Sequence, residues 1–231
     1  MENLQQYQWR TRGFMMDSLP HEGDFTTNPN LEKKVSHEGN FLPFIGDTTI
    51  FYLDDDTKNM LTEMQTLLYD NCSDMLAQII SPDTFHATLH DLSNGFPNDE
   101  LWKQMEKNKK EAQKIMEEIE RENRNPIKVR TVSVLNMVNT AVVLGLEPVD
   151  DDACFRLMEL HQRFQAIVEL NYPLTLHITL GYYKPGTYSS EQRLKLMNVF
   201  SECMKYSGQE IYLDEKRLFY QWFNDMSGYY S

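Results

Sequence analysis

The chain predicts an α+β fold of two similar lobes, with two small sheets flanked by helices around a central cleft. Three observations carry that prediction. Phe85-His86-Ala87-Thr88-Leu89-His90 has an echo at Leu176-His177-Ile178-Thr179-Leu180, so His-x-Thr-Leu occurs twice. Each copy follows the same succession: a strand pattern (Thr49 to Leu53, Ala141 to Leu146), three aspartates (Asp54 to Asp56, Asp150 to Asp152), then a helical pattern. The spacing is kept as well, since Ile50 precedes His86 by 36 residues and Val142 precedes His177 by 35. Among six histidines one such string arises easily by accident, whereas two in matched surroundings indicate an internal duplication.

Ahead of the duplication, residues 1–43 show no sustained period and are punctuated by Gly13, Gly23 and Gly39, which predicts an irregular lead-in. The duplicated domain is assigned to 44–231. Its first strand, 49–53, ends in aspartates that supply an N-cap and favourable charge for a helix dipole. In the helix that follows, Met60, Leu61, Met64, Leu67 and Leu68 fall on one face. The first His-x-Thr strand comes after Ser81-Pro82-Asp83, and Asn94-Gly95-Phe96-Pro97-Asn98 is a turn. A long helix, about Asp99 to Asn125, interleaves lysines with glutamates on its outer side, the pattern of a solvated face and not of an RNA surface.

Strand patterns at Ile127 to Leu135 and Thr140 to Leu146 then fit a hairpin around Asn136-Met137-Val138-Asn139. The next helix carries Leu157, Met158, His161, Phe164 and Val168 near one stripe, so His161 reads as a packed core histidine. The second His-x-Thr strand follows Tyr172-Pro173, and Ser189 with Gln192 caps a further helix after the Pro185-Gly186 turn. Strands at Glu210 to Leu213 and Arg217 to Phe223 close the chain.

Composition excludes several functions. With 231 residues, 41 % hydrophobic and 25 % charged, the chain is an ordinary globular protein large enough to need no disulfide or metal staple. A net charge of −13 without a basic run offers no counterion release, which excludes duplex DNA as a partner. A small anionic substrate stays compatible, because a few local cations can dominate a cleft. Cys72, Cys154 and Cys203 are odd in number and widely spaced, as expected of free thiols in a reducing compartment. No apolar run approaches ~18 residues and the first residues lack a leader pattern, so we expect a cytoplasmic monomer with no membrane partner.

The repeated motif has chemistry of its own. Side chains alternate along a strand, so His86 projects with Thr88 and His177 with Thr179. Cleaving a phosphodiester needs one group to take a proton from the attacking oxygen and another to give one to the leaving oxygen. Two imidazoles, each with an unperturbed pKa near ~6.5, can divide those roles, and the hydroxyls can hold the phosphate between them. No cofactor is required. His90 alternates onto the same face and is read as a cleft-shaping residue without a counterpart, since the second copy has Gly181 there. A zinc helix of the HExxH kind would need Glu at 87, where alanine stands, so no metal is assigned. Tyr182 and Tyr183, with Phe219, Tyr220 and Trp222, form an aromatic cluster open to either packing or nucleobase stacking. Lys184 and Arg130 are candidate phosphate-side cations.

On these residues the chain resembles the 2H phosphoesterase superfamily, which is defined by paired His-x-Thr/Ser motifs and includes LigT-like proteins and cyclic nucleotide phosphodiesterases. The resemblance covers about residues 44 to 223. It implies a bilobal pseudo-twofold fold, His86 and His177 as the acid–base pair, and Thr88 and Thr179 as phosphate clamps. It further implies a small nucleotide or cyclic-phosphate substrate, with short RNA ends as a further partner class. The linkage stays open among 2′,3′-cyclic phosphates, 2′-5′ linkages, cyclic oligonucleotides and ADP-ribose-derived cyclic phosphates. The alternative is a nucleotide- or RNA-end-binding protein with little turnover. An interaction protein with accidental motifs would instead place the two histidines far apart.

Overall fold

A computed structural model describes residues 1–16 and 18–230. Helix α1 (Leu4–Met16) and strand β1 (Phe25–Thr26) precede the first repeat unit, β2 (Ile45–Tyr52), α2 (Asp55–Cys72) and β3 (His86–Gly95). Helix α3 (Asp99–Glu122) and β4 (Ile127–Met137) lead to the second unit, β5 (Ala141–Pro148), α4 (Asp151–Phe164) and β6 (His177–Tyr182). Then come β7 (Thr187–Tyr188), α5 (Ser190–Cys203), β8 (Glu210–Leu213), β9 (Leu218–Asp225) and β10 (Gly228–Tyr230).

Two four-stranded antiparallel sheets result, ordered β10-β9-β2-β3 and β6-β5-β4-β8. The motif strands β3 and β6 are the inner edges of their sheets and lie against each other. The axis relating the halves therefore passes between them. Each half also lends a strand to the other: β4, which follows the first unit, pairs with β5, while β9, which follows the second, pairs with β2. Helices cross over in the same manner, α2 onto β6 and α4 onto β3. One core accordingly runs through both halves, with Leu61 and Leu68 of α2 in the same cluster as Leu157 and Phe164 of α4.

The tri-aspartate runs act as caps. Asp54 accepts the Thr57 amide at 2.7 Å and Asp150 the Ala153 amide at 2.8 Å, one free donor satisfied at each helix start. The β4–β5 hairpin turns at Val138 and Asn139, both left-handed (φ 44° and 58°), the pair of conformations whose twist matches the strands it joins.

The lead-in differs from expectation, because residues 4–16 are helical. Tyr7 and Thr11 are buried, Leu4 and Phe14 pack against the core from the same helix, and two of these four anchors carry hydroxyls, so the apolar period is weak. Tyr7 Oη donates to the Leu146 carbonyl at 3.1 Å and accepts the Leu176 amide at 3.0 Å, splicing a hydroxyl into the β5–β6 ladder next to the second motif. Arg10 donates to the Leu174 carbonyl and the Thr175 hydroxyl. The helix is thereby bolted to the strand that carries His177.

All three cysteines are buried free thiols. Among the described residues no helix is long and apolar enough to cross a membrane.

Candidate active site

The two motifs are built alike in atomic detail. His86 Nδ1 lies 2.7 Å from the Thr84 carbonyl, and His177 Nδ1 lies 2.7 Å from the Thr175 carbonyl. A carbonyl only accepts, so each Nδ1 carries the proton and each Nε2 keeps a lone pair for a ligand. The acceptor is two residues upstream in both cases, and the ring orientation is therefore fixed by the strand itself.

A bulge follows each motif. In the first half Ile50 pairs with Thr88 and Thr49 with His90, which leaves Leu89 as the extra residue. In the second, Val143 pairs with Thr179 and Val142 with Gly181, which leaves Leu180 extra. An extra residue reverses the alternation beyond it. His90 is thus turned into the core, contrary to the simple alternation that puts it beside His86. It is 1 % exposed and stacks near His161 and Phe164 of α4, at 4.8 and 6.3 Å between ring centroids. Asp91 and Tyr182 take the cleft-facing places instead, both partly exposed.

The four motif side chains are all partly exposed, whereas their strand neighbours Ala87, Leu89, Ile178 and Leu180 are buried. His86 and Thr179, one from each motif, line a common gap of about 10 Å³ together with Tyr182 and Tyr229. Desolvation pushes His86 down to about 4, the nearby His177 opposes its charging, and the Thr84 carbonyl and Asp91 work the other way. His177 is lowered by desolvation too, against the Thr175 carbonyl and Asp91. Tyr229, on the last strand, sets its ring 4.5 Å from that of His86, edge to face. Lys34 enters from the lead-in, its ammonium 4.9 Å from the Phe44 ring centroid. Burial lowers its pKa and the charge of Asp91 raises it.

Three candidate substrate-binding residues, two of them cations expected beside the phosphate, lie elsewhere. Arg130 is held by Glu147, Nε donating at 2.7 Å, beside Arg12, which grips the same carboxylate. Lys184 Nζ donates to the Ser73 and Asp74 carbonyls at the end of α2, where a cation complements the helix dipole. Tyr183 is fully buried among Phe25 and Tyr188. Of the aromatic cluster Tyr182 lines the gap beside His86, Tyr220 bonds Asp47, Trp222 packs between Trp102 and Tyr230, and the exposed Phe219 sets its ring 5.1 Å from that of Tyr52, the cross-strand neighbour of His86. Asp91, Tyr229 and Lys34 were not legible as site residues. The first is displaced by a bulge, and the others come from segments without a motif.

A larger pocket, about 830 Å³, lies between α5 and the middle of β4. It holds the Arg12–Glu147–Arg130 cluster and neither motif histidine.

The fold is shared with a solved protein. The conserved protein of unknown function ATU0111 from Agrobacterium tumefaciens str. C58 superposes with a TM-score of 0.65 at 13 % identity, over 89 % of this chain and 91 % of that one. That likeness establishes the two-sheet α+β architecture and speaks to nothing beyond it. E. coli LigT complexed with 3′-AMP matches at a TM-score of 0.36 and 14 % identity over 63 % of this chain and 83 % of that one. Kluyveromyces marxianus Usb1 matches at 0.38 and 11 % over 81 % and 96 %. LigT belongs to the group that the paired motifs resemble, but scores this low carry no argument. No protein-family model matches the chain, and no curated protein matches it in sequence.

Proposed function

We propose that the chain is a 2H-type phosphodiesterase that hydrolyses a small nucleotide phosphodiester or cyclic phosphate without a metal. The observation that carries the reading is the doubled pin. Two imidazoles, each oriented through Nδ1 by its own strand, offer two Nε2 atoms from adjoining strands. In the reaction one neutral Nε2 takes the proton of the attacking water as its oxygen bonds phosphorus. The other, protonated, gives its proton to the oxygen whose bond to phosphorus breaks. Desolvation lowers both imidazoles, so the free pair rests neutral near pH 7; an anionic phosphate lying between them favours charging one of the two, which is the singly protonated state that this division of roles requires. Thr88 and Thr179 donate to the non-bridging oxygens.

A binder on the same scaffold is the second reading, and intact histidine and threonine in both motifs favour the enzyme. The test is a panel of 2′,3′-cyclic, 2′-5′-linked and cyclic oligonucleotide substrates incubated with purified protein and resolved by chromatography. Turnover that survives EDTA and is lost in both His86→Ala and His177→Ala is expected. Turnover lost to chelation and restored by a divalent ion, or unchanged in either variant, refutes the mechanism.

A further inference from the structure

The halves agree through His-x-Thr-Leu and the bulge, then differ at one cleft-facing position, Asp91 against Tyr182. We propose that Asp91 is a specificity-determining residue that selects substrates bearing a hydroxyl group beside the phosphate. The inference rests on the cleft's being a phosphate site. Asp91 Oδ2 accepts the Tyr172 hydroxyl at 3.0 Å, while Oδ1 takes no hydrogen bond from a described residue. The register turns Asp91 to the cleft side of β3 at the place that Tyr182 holds on β6, and Tyr182 lines the gap with His86 and Thr179. From there the charge of Asp91 acts on both motif histidines.

A carboxylate in that place repels a phosphate unless a donor lies between them. A ribose hydroxyl on the carbon next to the phosphorylated one is such a donor: it can reach Oδ1 while the phosphate meets the threonines. In a nucleoside 3′-phosphate it is the 2′-hydroxyl and in a 2′-5′ linkage the 3′-hydroxyl; a 2′,3′-cyclic phosphate carries no such donor until its ring opens, so there the contact belongs to the product. A deoxy analogue leaves two anions facing each other.

The test is calorimetric titration of the full chain with 3′-AMP, its 2′-deoxy counterpart and inorganic phosphate, for wild type, Asp91→Ala and Asp91→Asn. Wild type should bind 3′-AMP on the order of 10- to 100-fold more tightly than the deoxy compound, the range of one hydrogen bond to a charged acceptor. Asp91→Ala should bring that ratio close to one and bind inorganic phosphate at least as tightly as wild type, since the repulsion is gone. Asp91→Asn, which keeps an acceptor oxygen, should retain part of the ratio. A wild-type ratio near one, or a ratio that survives Asp91→Ala, overturns the proposal. So does equal weakening of all three probes in Asp91→Ala, the signature of a merely structural role. Because the readout is binding, absent turnover would count against hydrolysis alone and leave this ratio to be judged separately.

Discussion

The first and second halves share the parts that acid–base chemistry needs and differ in the parts that surround it. Both have the Nδ1 pin, the threonine two residues on and the bulge. A side chain meets a carbonyl near the bulge in each half, at positions one residue apart in the repeat: Thr48 donates to that of His90, and Gln65 to that of Leu180. Behind the bulge the solutions part. The first half fills the core-facing slot from the strand, with His90 against His161, and Gln165 beside it. The second fills it from the helix: Tyr69 of α2 crowds Gly181 so closely that a Cβ there would stand 2.9 Å from its hydroxyl. Tyr69 and Gln165 each fall 15 residues after their capping aspartate, so they are the same position in the two helices. The two units thus keep the same cleft face while the buried face exchanges volume between strand and helix.

If the catalytic faces are equivalent, removing either should be equally damaging. His86→Ala and His177→Ala should each lower kcat on the order of 10²- to 10⁴-fold. The double variant should lose far less than the product, as groups in one proton relay are not independent. A single variant with near-normal rates would break the equivalence outright. Thr88→Val and Thr179→Val should cost less, about 10- to 100-fold for a lost transition-state donor that leaves the shape of the pH–rate profile intact.

Much of this was readable from alternation and spacing. The duplicated units, the capping aspartates and the hairpin at Val138-Asn139 follow from local chemistry that acts within a few residues. What alternation could not supply is where it fails. The bulges exchange His90 for Asp91, and they depend on cross-strand pairing that no local pattern records. Arg130 and Lys184 looked available as cations, yet Glu147 and the α2 carbonyls, distant in sequence, already hold them. Helix α1 escaped notice because a tyrosine hydroxyl and an arginine supply much of its fastening, while only Leu4 and Phe14 add apolar contacts around them.

Tyr229 breaks the symmetry from outside the repeat, and removing it should sharpen the comparison. Its ring covers His86, and the remaining gap of about 10 Å³ is the size of one water. Tyr229 therefore narrows the approach to His86 from that side. Tyr229→Ala should raise the rate at which diethyl pyrocarbonate modifies His86, measured by mass spectrometry, while His177 changes less. An unchanged ratio of the two rates would mean that Tyr229 does not shield one half more than the other.

The smallest effect should appear in the buried faces. His161 stands 11 residues after its cap, where α2 has Gln65, and desolvation followed by the neighbouring His90 pushes it down to about 4. An imidazole whose folded pKa lies below its unfolded value of ~6.5 binds fewer protons folded than unfolded. Its contribution is therefore fully present above pH ~6.5 and is lost as pH falls toward 4. Asp47 acts in the opposite sense, because burial lifts it to about 6 and protonation near that pH favours the fold. His161→Gln, which copies the other half's residue, should remove the histidine contribution alone. Urea midpoints at pH 7 and pH 5 should then lie closer together in the variant than in wild type. If the acid-side loss is as steep in His161→Gln, His161 is not its source, and the motif histidines His86 and His177, which desolvation also lowers, are the next groups to replace.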